Sequence, residues 1–228
     1  MAVVLCLAVL SSVIAQGYEY IAVSSLHRER QVIILDAGHG GFDGGAVAAD
    51  GTVEKDINLN ITLALADFLK SSGFKVILTR ETDVSTDDVE TDKIATRKKS
   101  DLKNRLELMR DYPQAVFISI HLNKFTTSAA NGSQVFYSDK TEESRSLGEA
   151  IQKNIISLLQ PHNTRVNKQA TSSTYILYNA TVPAVLVECG FLSNASELKL
   201  LKTSEYQKKM AFCIFCGITE YFSNNKEI

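Results

Sequence analysis

Six short runs rich in Val, Ile and Phe recur along the chain: QVIILD (31–36), FKVILT (74–79), AVFISI (115–120), SQVFY (133–137), TYILY (174–178) and AVLVE (184–188). Near-continuous apolar runs of this length suit strands buried on both faces, since a strand with one wet face alternates polar and apolar residues. Helical patterns fill most of the intervals. From Glu54 onward, Ile57, Ile61, Ala64, Leu65 and Phe68 fall on one face, and Gly73 stands where a helix stop is expected. Leu147, Ile151, Ile155 and Leu158 repeat the pattern ahead of Pro161. Near the end, Ser204 and Gln207 match a capping box, and Tyr206, Met210, Cys213, Gly217 and Tyr221 form a packing stripe. Strands alternating with helices predict an α/β fold: a single domain with a twisted, mostly parallel or mixed sheet of about six strands and helices on both faces.

The 228 residues suffice for one sizeable core, and 45% hydrophobic against 22% charged residues is ordinary globular composition. A net charge of −2 argues against a broad phosphate-binding surface, so nucleic acid is not expected as a partner. Cys213 and Cys216 form a CxxC inside AFCIFCGI; without a second pair this reads as helix packing rather than a zinc ribbon. Residues 1–16, within MAVVLCLAVLSSVIAQG, are apolar over a length that suits a secretory h-region, with Val13-Ile14-Ala15 resembling a cleavage site. No Lys or Arg precedes that run. The expectation is therefore export, with this segment either cleaved or kept as a membrane anchor, and residues 17–30 leading into a domain over 31–228. The 81–101 stretch ETDVSTDDVETDKIATRKKSD is expected to be a solvated loop, long enough to cover or contact something.

In open α/β sheets, ligands gather outside the carboxyl ends of the strands. His39 follows VIILD within the glycine-rich GHGGFDGG, His121 follows VFISI, and Glu188 ends AVLVE. Glu54 falls in the first turn of the helix after the glycine loop, where backbone N–H groups favour a carboxylate. Two histidines and one carboxylate make a known ligand set for catalytic zinc, and the other carboxylate would be free to move protons. Each residue also has a purely structural reading. His39 could serve a turn, His121 could be a satisfied core histidine, Glu54 a first-turn acid and Glu188 an ion-pair partner at the sheet rim. His27 and His162, in polar connections, read as surface residues.

Taken together, four motifs resemble the zinc-dependent N-acetylmuramoyl-L-alanine amidases of the Amidase_3 family: ILDAGHGGFDGGAV, EKDINL, FISIHLN and VECGFLSN. KVILTR and the Arg105 of DLKNR fit between them in the same order, over about residues 32–222. The resemblance implies cleavage of the amide between the lactyl group of N-acetylmuramic acid and L-alanine of the peptidoglycan stem peptide. It places zinc ligands on His39, Glu54 and His121 and the catalytic glutamate on Glu188, which would take a proton from activated water and pass it to the leaving nitrogen. Asn123 matches the family's asparagine after the second histidine. Asp36 or adjacent backbone is the expected partner of the second nitrogen of His39. Gly44 stands where members often have proline, and Cys189 follows the glutamate. The DGGAV variant resembles the sporulation branch, which implies action at the spore cortex on the way to muramic lactam, in the cell wall or forespore envelope. An accessory or regulatory protein fits that branch, with 81–105 as its docking surface. The alternative is a non-catalytic peptidoglycan-binding or scaffolding protein that keeps the fold.

Overall fold

A computed structural model describes residues 31–225. The apolar leader, residues 17–30, Cys6 and His27 lie outside the described residues. The strands are β1 (Val32–Ala37), β2 (Lys75–Leu78), β3 (Val116–Asn123), β4 (Gln134–Tyr137), β5 (Lys168–Gln169) and β6 (Ala184–Phe191). The helices are α1 (Glu54–Ser71), α2 (Ile94–Asp111), α3 (Glu142–Leu158), α4 (Tyr175–Tyr178), α5 (Ala195–Leu201) and α6 (Ser204–Asn224). The sheet runs β2-β1-β3-β6-β4-β5 and is parallel except where β4 meets β6. It is thus a six-stranded mixed sheet in a single α/β domain, as the alternation of runs predicts.

Alternate strand residues feed two cores. Ile33, Leu35, Ile118, Ile120, Val185 and Val187 pack under α1, α3 and α6, while Val32, Ile34, Phe117, Ala184 and Leu186 meet α2 and α4. The α3–α6 crossing is close because residue 217 is glycine. A Cβ there would sit 2.5 Å from Ile151 Cα, a backbone atom that cannot swing aside. Met210, Cys213, Gly217 and Tyr221 of the expected stripe are buried on α6, and Cys213 belongs to this core.

Three expectations need correction. TYILY is a helical turn, not a strand: Ile176 and Leu177 are buried while Tyr175 and Tyr178 face solvent. Exposure three residues apart is a helical spacing, and a four-residue run that is apolar throughout carries neither period. The sixth strand is instead the two-residue β5, exposed at both positions, which leaves no apolar trace in the sequence. The 81–101 stretch is a loop only to Lys93. There α2 begins, and its inward positions include Asp101 and Arg105 beside Leu106 and Met109, so charge masks the helical stripe. The helix α6 is capped by Thr203, whose side chain accepts from Tyr206 N, one residue before the expected cap. Gln207 Nε2 reaches back to Leu201 O rather than closing a capping box.

Candidate metal centre

At the carboxyl end of the sheet the strand register sets a row of side chains. His121 on β3 is opposite Glu188 on β6, and Glu188 is opposite Gln134 on β4. On the other flank, Gly38 N donates to Ile120 O at 3.1 Å and continues the row from β1. Directly opposed residues share a face, and these lie on the α2/α4 face.

The glycines of the first motif are needed for space. A Cβ at Gly38 would fall 2.2 Å from His121 Nε2, and one at Gly45 would fall 2.6 Å from both Glu54 Oε2 and His39 Cδ2. Between them His39 adopts φ 63, the one non-glycine positive φ among the described residues. That is a costly conformation for a residue with a Cβ, and it is held by surrounding contacts. Arg105 Nη2 donates to His39 O at 2.8 Å, and Arg80 Nε and Nη2 donate to Ala37 O and Gly38 O at 2.9 and 3.1 Å.

His39 Nδ1 donates to Asp43 Oδ2 at 2.9 Å, which leaves Nε2 facing Glu54 Oε1 at 3.4 Å. The partner of His39 is therefore Asp43, within the same loop, and not Asp36. Asp36 is buried one row further down, paired with Arg105 and hydrogen-bonded to Ser119 and Thr79. Burial opposes its charge, but Arg105 and then Ser119 hold its carboxyl below the usual range. Lys98 of α2 binds the other oxygen of Asp43 at 2.9 Å, and Arg97 stacks over Phe42 at 3.9 Å. Asp83 accepts from Gly41 N at 2.8 Å. The acidic-then-basic segment thus closes on the histidine loop.

Glu54 lies at the start of α1 with its carboxylate turned inward. Oε2 accepts from Ala46 N at 2.8 Å, and Oε1 from Leu122 N at 3.0 Å and Asn58 Nδ2 at 3.2 Å. His121 Nδ1 lies 3.0 Å from the same Oε1. Ligand atoms of His39, Glu54 and His121 all fall within 4.8 Å of one another, close enough to hold one metal ion. Burial alone would make His39 a weaker base, yet Asp43 and then Glu54 outweigh it and push its pKa up to about 9. Against its own burial, Glu54 is held far below the carboxylate range by the two imidazoles, His121 first.

Glu188 is different. Burial raises its pKa to about 7, with the Glu54 charge adding to the rise and the histidines opposing it. Its Oε2 is out of solvent with no hydrogen-bond partner among the described residues. A buried, unpaired carboxyl oxygen is costly, which makes Glu188 a candidate functional residue. A cleft of about 250 Å³ runs from His39, Asp43 and His121 past Lys98, Asp101 and Arg105 to Ile176, so the turn α4 supplies one wall. His162 is exposed and does not line this cleft.

Sequence reasoning missed Asp43 and Arg80. Asp43, four residues after His39 among glycines, could have been found as a side chain able to fold back on the imidazole; Arg80 ends the KVILTR segment, but its acceptors are backbone carbonyls, which no residue pattern announces.

Comparison with known proteins follows the same residues. The family model for N-acetylmuramoyl-L-alanine amidase matches residues 33–220. The germination-specific N-acetylmuramoyl-L-alanine amidase of Bacillus subtilis is 38% identical over 199 residues, covering 87% of this chain and 83% of that one. The CwlD amidase of Clostridioides difficile, solved in complex with the GerS lipoprotein, superposes with a TM-score of 0.82 at 44% identity, covering 85% of this chain and 99% of that one. The amidase AmiC2 of Nostoc punctiforme gives 0.72 at 29% identity, covering 85% and 97%.

Proposed function

The chain belongs to the N-acetylmuramoyl-L-alanine amidase family, and from that premise we propose that His39, Glu54 and His121 hold a zinc ion beside Glu188 as the proton carrier. One observation carries this reading: three donors from the β1 loop, α1 and β3 converge within 4.8 Å, while the carboxylate opposite His121 on the next strand stays outside the set with an unpaired oxygen. Two imidazoles and one carboxylate fit a catalytic zinc site, which uses three protein ligands and leaves a position open. Zinc there supplies a Lewis acid for the amide carbonyl and water activation near neutral pH.

The chain's residues do the rest. Asp43 fixes the tautomer of His39 so that Nε2 points inward. Backbone N–H groups of Ala46 and Leu122 orient Glu54. Glu188 takes the proton of the attacking water and returns it to the L-alanine nitrogen as the lactyl amide breaks. A pKa near 7 suits both halves of that transfer.

The two relatives named for germination and as CwlD support action on spore-cortex peptidoglycan, with muramic lactam as the downstream product. That setting is extracytoplasmic, reached through the apolar leader as signal or anchor. No helix among the described residues is long and apolar enough to cross a membrane. The lipoprotein bound to the CwlD relative supports an accessory protein here too, and the 81–105 segment, packed on the histidine loop, is the surface we assign to it.

The test is release of new L-alanine amino termini from peptidoglycan by purified protein, with and without chelator. Wild type should be active and chelator-sensitive, with one zinc per chain by elemental analysis. Glu188→Gln should keep its zinc and lose roughly 10²–10⁴-fold in rate. Metal-replete wild type that releases nothing, or a variant as active as wild type, overturns the reading.

A further inference from the structure

The row at the sheet edge does not end at Glu188. Gln134, the next residue along, is buried and shares the face of Glu188. Its amide is locked at both ends: Nε2 donates to Val166 O at 2.9 Å, and Oε1 accepts from Arg165 Nη1 at 3.0 Å. Arg165 Nε donates to Asn131 O at 2.7 Å, and the guanidinium lies over the Phe191 ring at 4.7 Å. The cation is therefore fixed in place against the side chain next along the row from Glu188.

Its charge has no direct counter-ion. Arg165 enters no ion pair among the described residues, and its Nη2 has no hydrogen-bond partner there. Glu197, which lies near enough to feel its charge, uses one oxygen for Gly132 N and the other for Phe191 N. Of the other arginines around the site, Arg80 and Arg105 point inward and hold backbone, and Arg97 is paired with Asp87. A guanidinium fixed on an aromatic face with one edge open is well suited to a carboxylate.

Building on the amidase reading, we propose that Arg165 is a carboxylate subsite that selects acidic stem peptides. Strands lie about 4.8 Å apart, so Gln134 is one strand from Glu188 and the guanidinium hydrogen-bonded to its amide is roughly 10 Å from that carboxylate. An extended peptide covers about 3.5 Å per residue. The carboxylate bound belongs to the second or third residue counted from the scissile amide.

The experiment compares one peptidoglycan preparation with its stem carboxylates free and after amidation by carbodiimide and ammonia. Wild type should cut the free-acid form faster at low substrate by roughly ten- to a hundredfold, the scale of a charge-assisted hydrogen bond. The preference should shrink with added salt. Arg165→Gln should lose it by slowing only on the free acid, through apparent KM rather than kcat, and Arg165→Lys should regain part. Zinc content and thermal unfolding of both variants should match wild type. Wild type cutting both forms equally overturns the subsite, whether or not the variants fold. So does an Arg165→Gln that slows equally on both. Wild type that cuts neither form overturns the amidase reading itself, a distinct result.

Discussion

On one face of the sheet, Leu35, Ile118, Ile120, Val187 and Cys189 lie under α1, α3 and α6 in an apolar core; on the other, the alternate positions carry Asp36, Ser119, His121 and Glu188. The same strands build both. Toward their amino ends the second face is also apolar, with Ile34, Phe117 and Leu186, and it turns polar only at the carboxyl ends. There Asp36, Arg105 and Asp101 form a buried ionic cluster beneath the histidine loop. The contrast separates two tasks. Apolar burial gives the first face most of its stability through non-directional contacts, whereas a buried charge network gives little net stability and fixes directions through its hydrogen bonds. A one-residue slip of any strand would exchange the two sets, so the apolar face also holds the site in register.

The sharpest way to break this contrast is Arg105→Met, which removes the cation from both aspartates and the anchor from His39 O. Stranding buried carboxylates should cost about 3–5 kcal/mol in denaturant unfolding at neutral pH, and the protein that remains folded should lose activity through His39. A cost under about 1 kcal/mol would mean the cluster is solvated and the two faces are less distinct than described. On the opposite face, Gly217→Ala forces a methyl against the Ile151 backbone and should cost about 1–3 kcal/mol. Rate per folded molecule and zinc content should be unchanged, since no hydrogen bond or ion pair among the described residues joins α6 to His39, Glu54, His121 or Glu188. A fall in rate per folded molecule would show that the apolar face transmits strain to the site.

How much of this was legible in the sequence follows the same division. Apolar strands advertise themselves; His121 and Glu188 stand out because their runs stop on them, and His39 because it stands among glycines just past the first run. Glu54 is marked by its place at a helix start. What stayed hidden is the support built from polar residues at inward positions. The helix α2 was masked because Asp101 and Arg105 occupy its buried stripe, and β5 because neither of its residues is apolar. The pairing of Asp36 with Arg105 spans 69 residues, and no local pattern announces it. Asp43 rather than Asp36 reaches His39 because a left-handed residue followed by glycines folds the loop back on itself, a geometry that composition suggests but does not specify.

The smallest effect isolates Glu188 in metal-free protein. Its folded pKa of about 7 exceeds the ordinary glutamate value of 4.5, so between those pH values the native state holds more protons than the unfolded one. Stability therefore falls as pH rises through this window, by less than about 1.4 kcal/mol per pH unit for one proton. His39, raised from 6.5 to about 9, adds a decline of the same sign over that higher range. Glu188→Gln has no proton to lose. Its stability should stay level from about pH 5 to 6.5 where wild type declines, and the later fall due to His39 should remain. Chelator-treated wild type and variant, unfolded by denaturant at half-unit pH steps, give the comparison directly. Parallel curves would mean that Glu188 is ionised throughout, its Oε2 hydrated rather than buried, and the second face would then have lost the feature that most distinguishes it from the first.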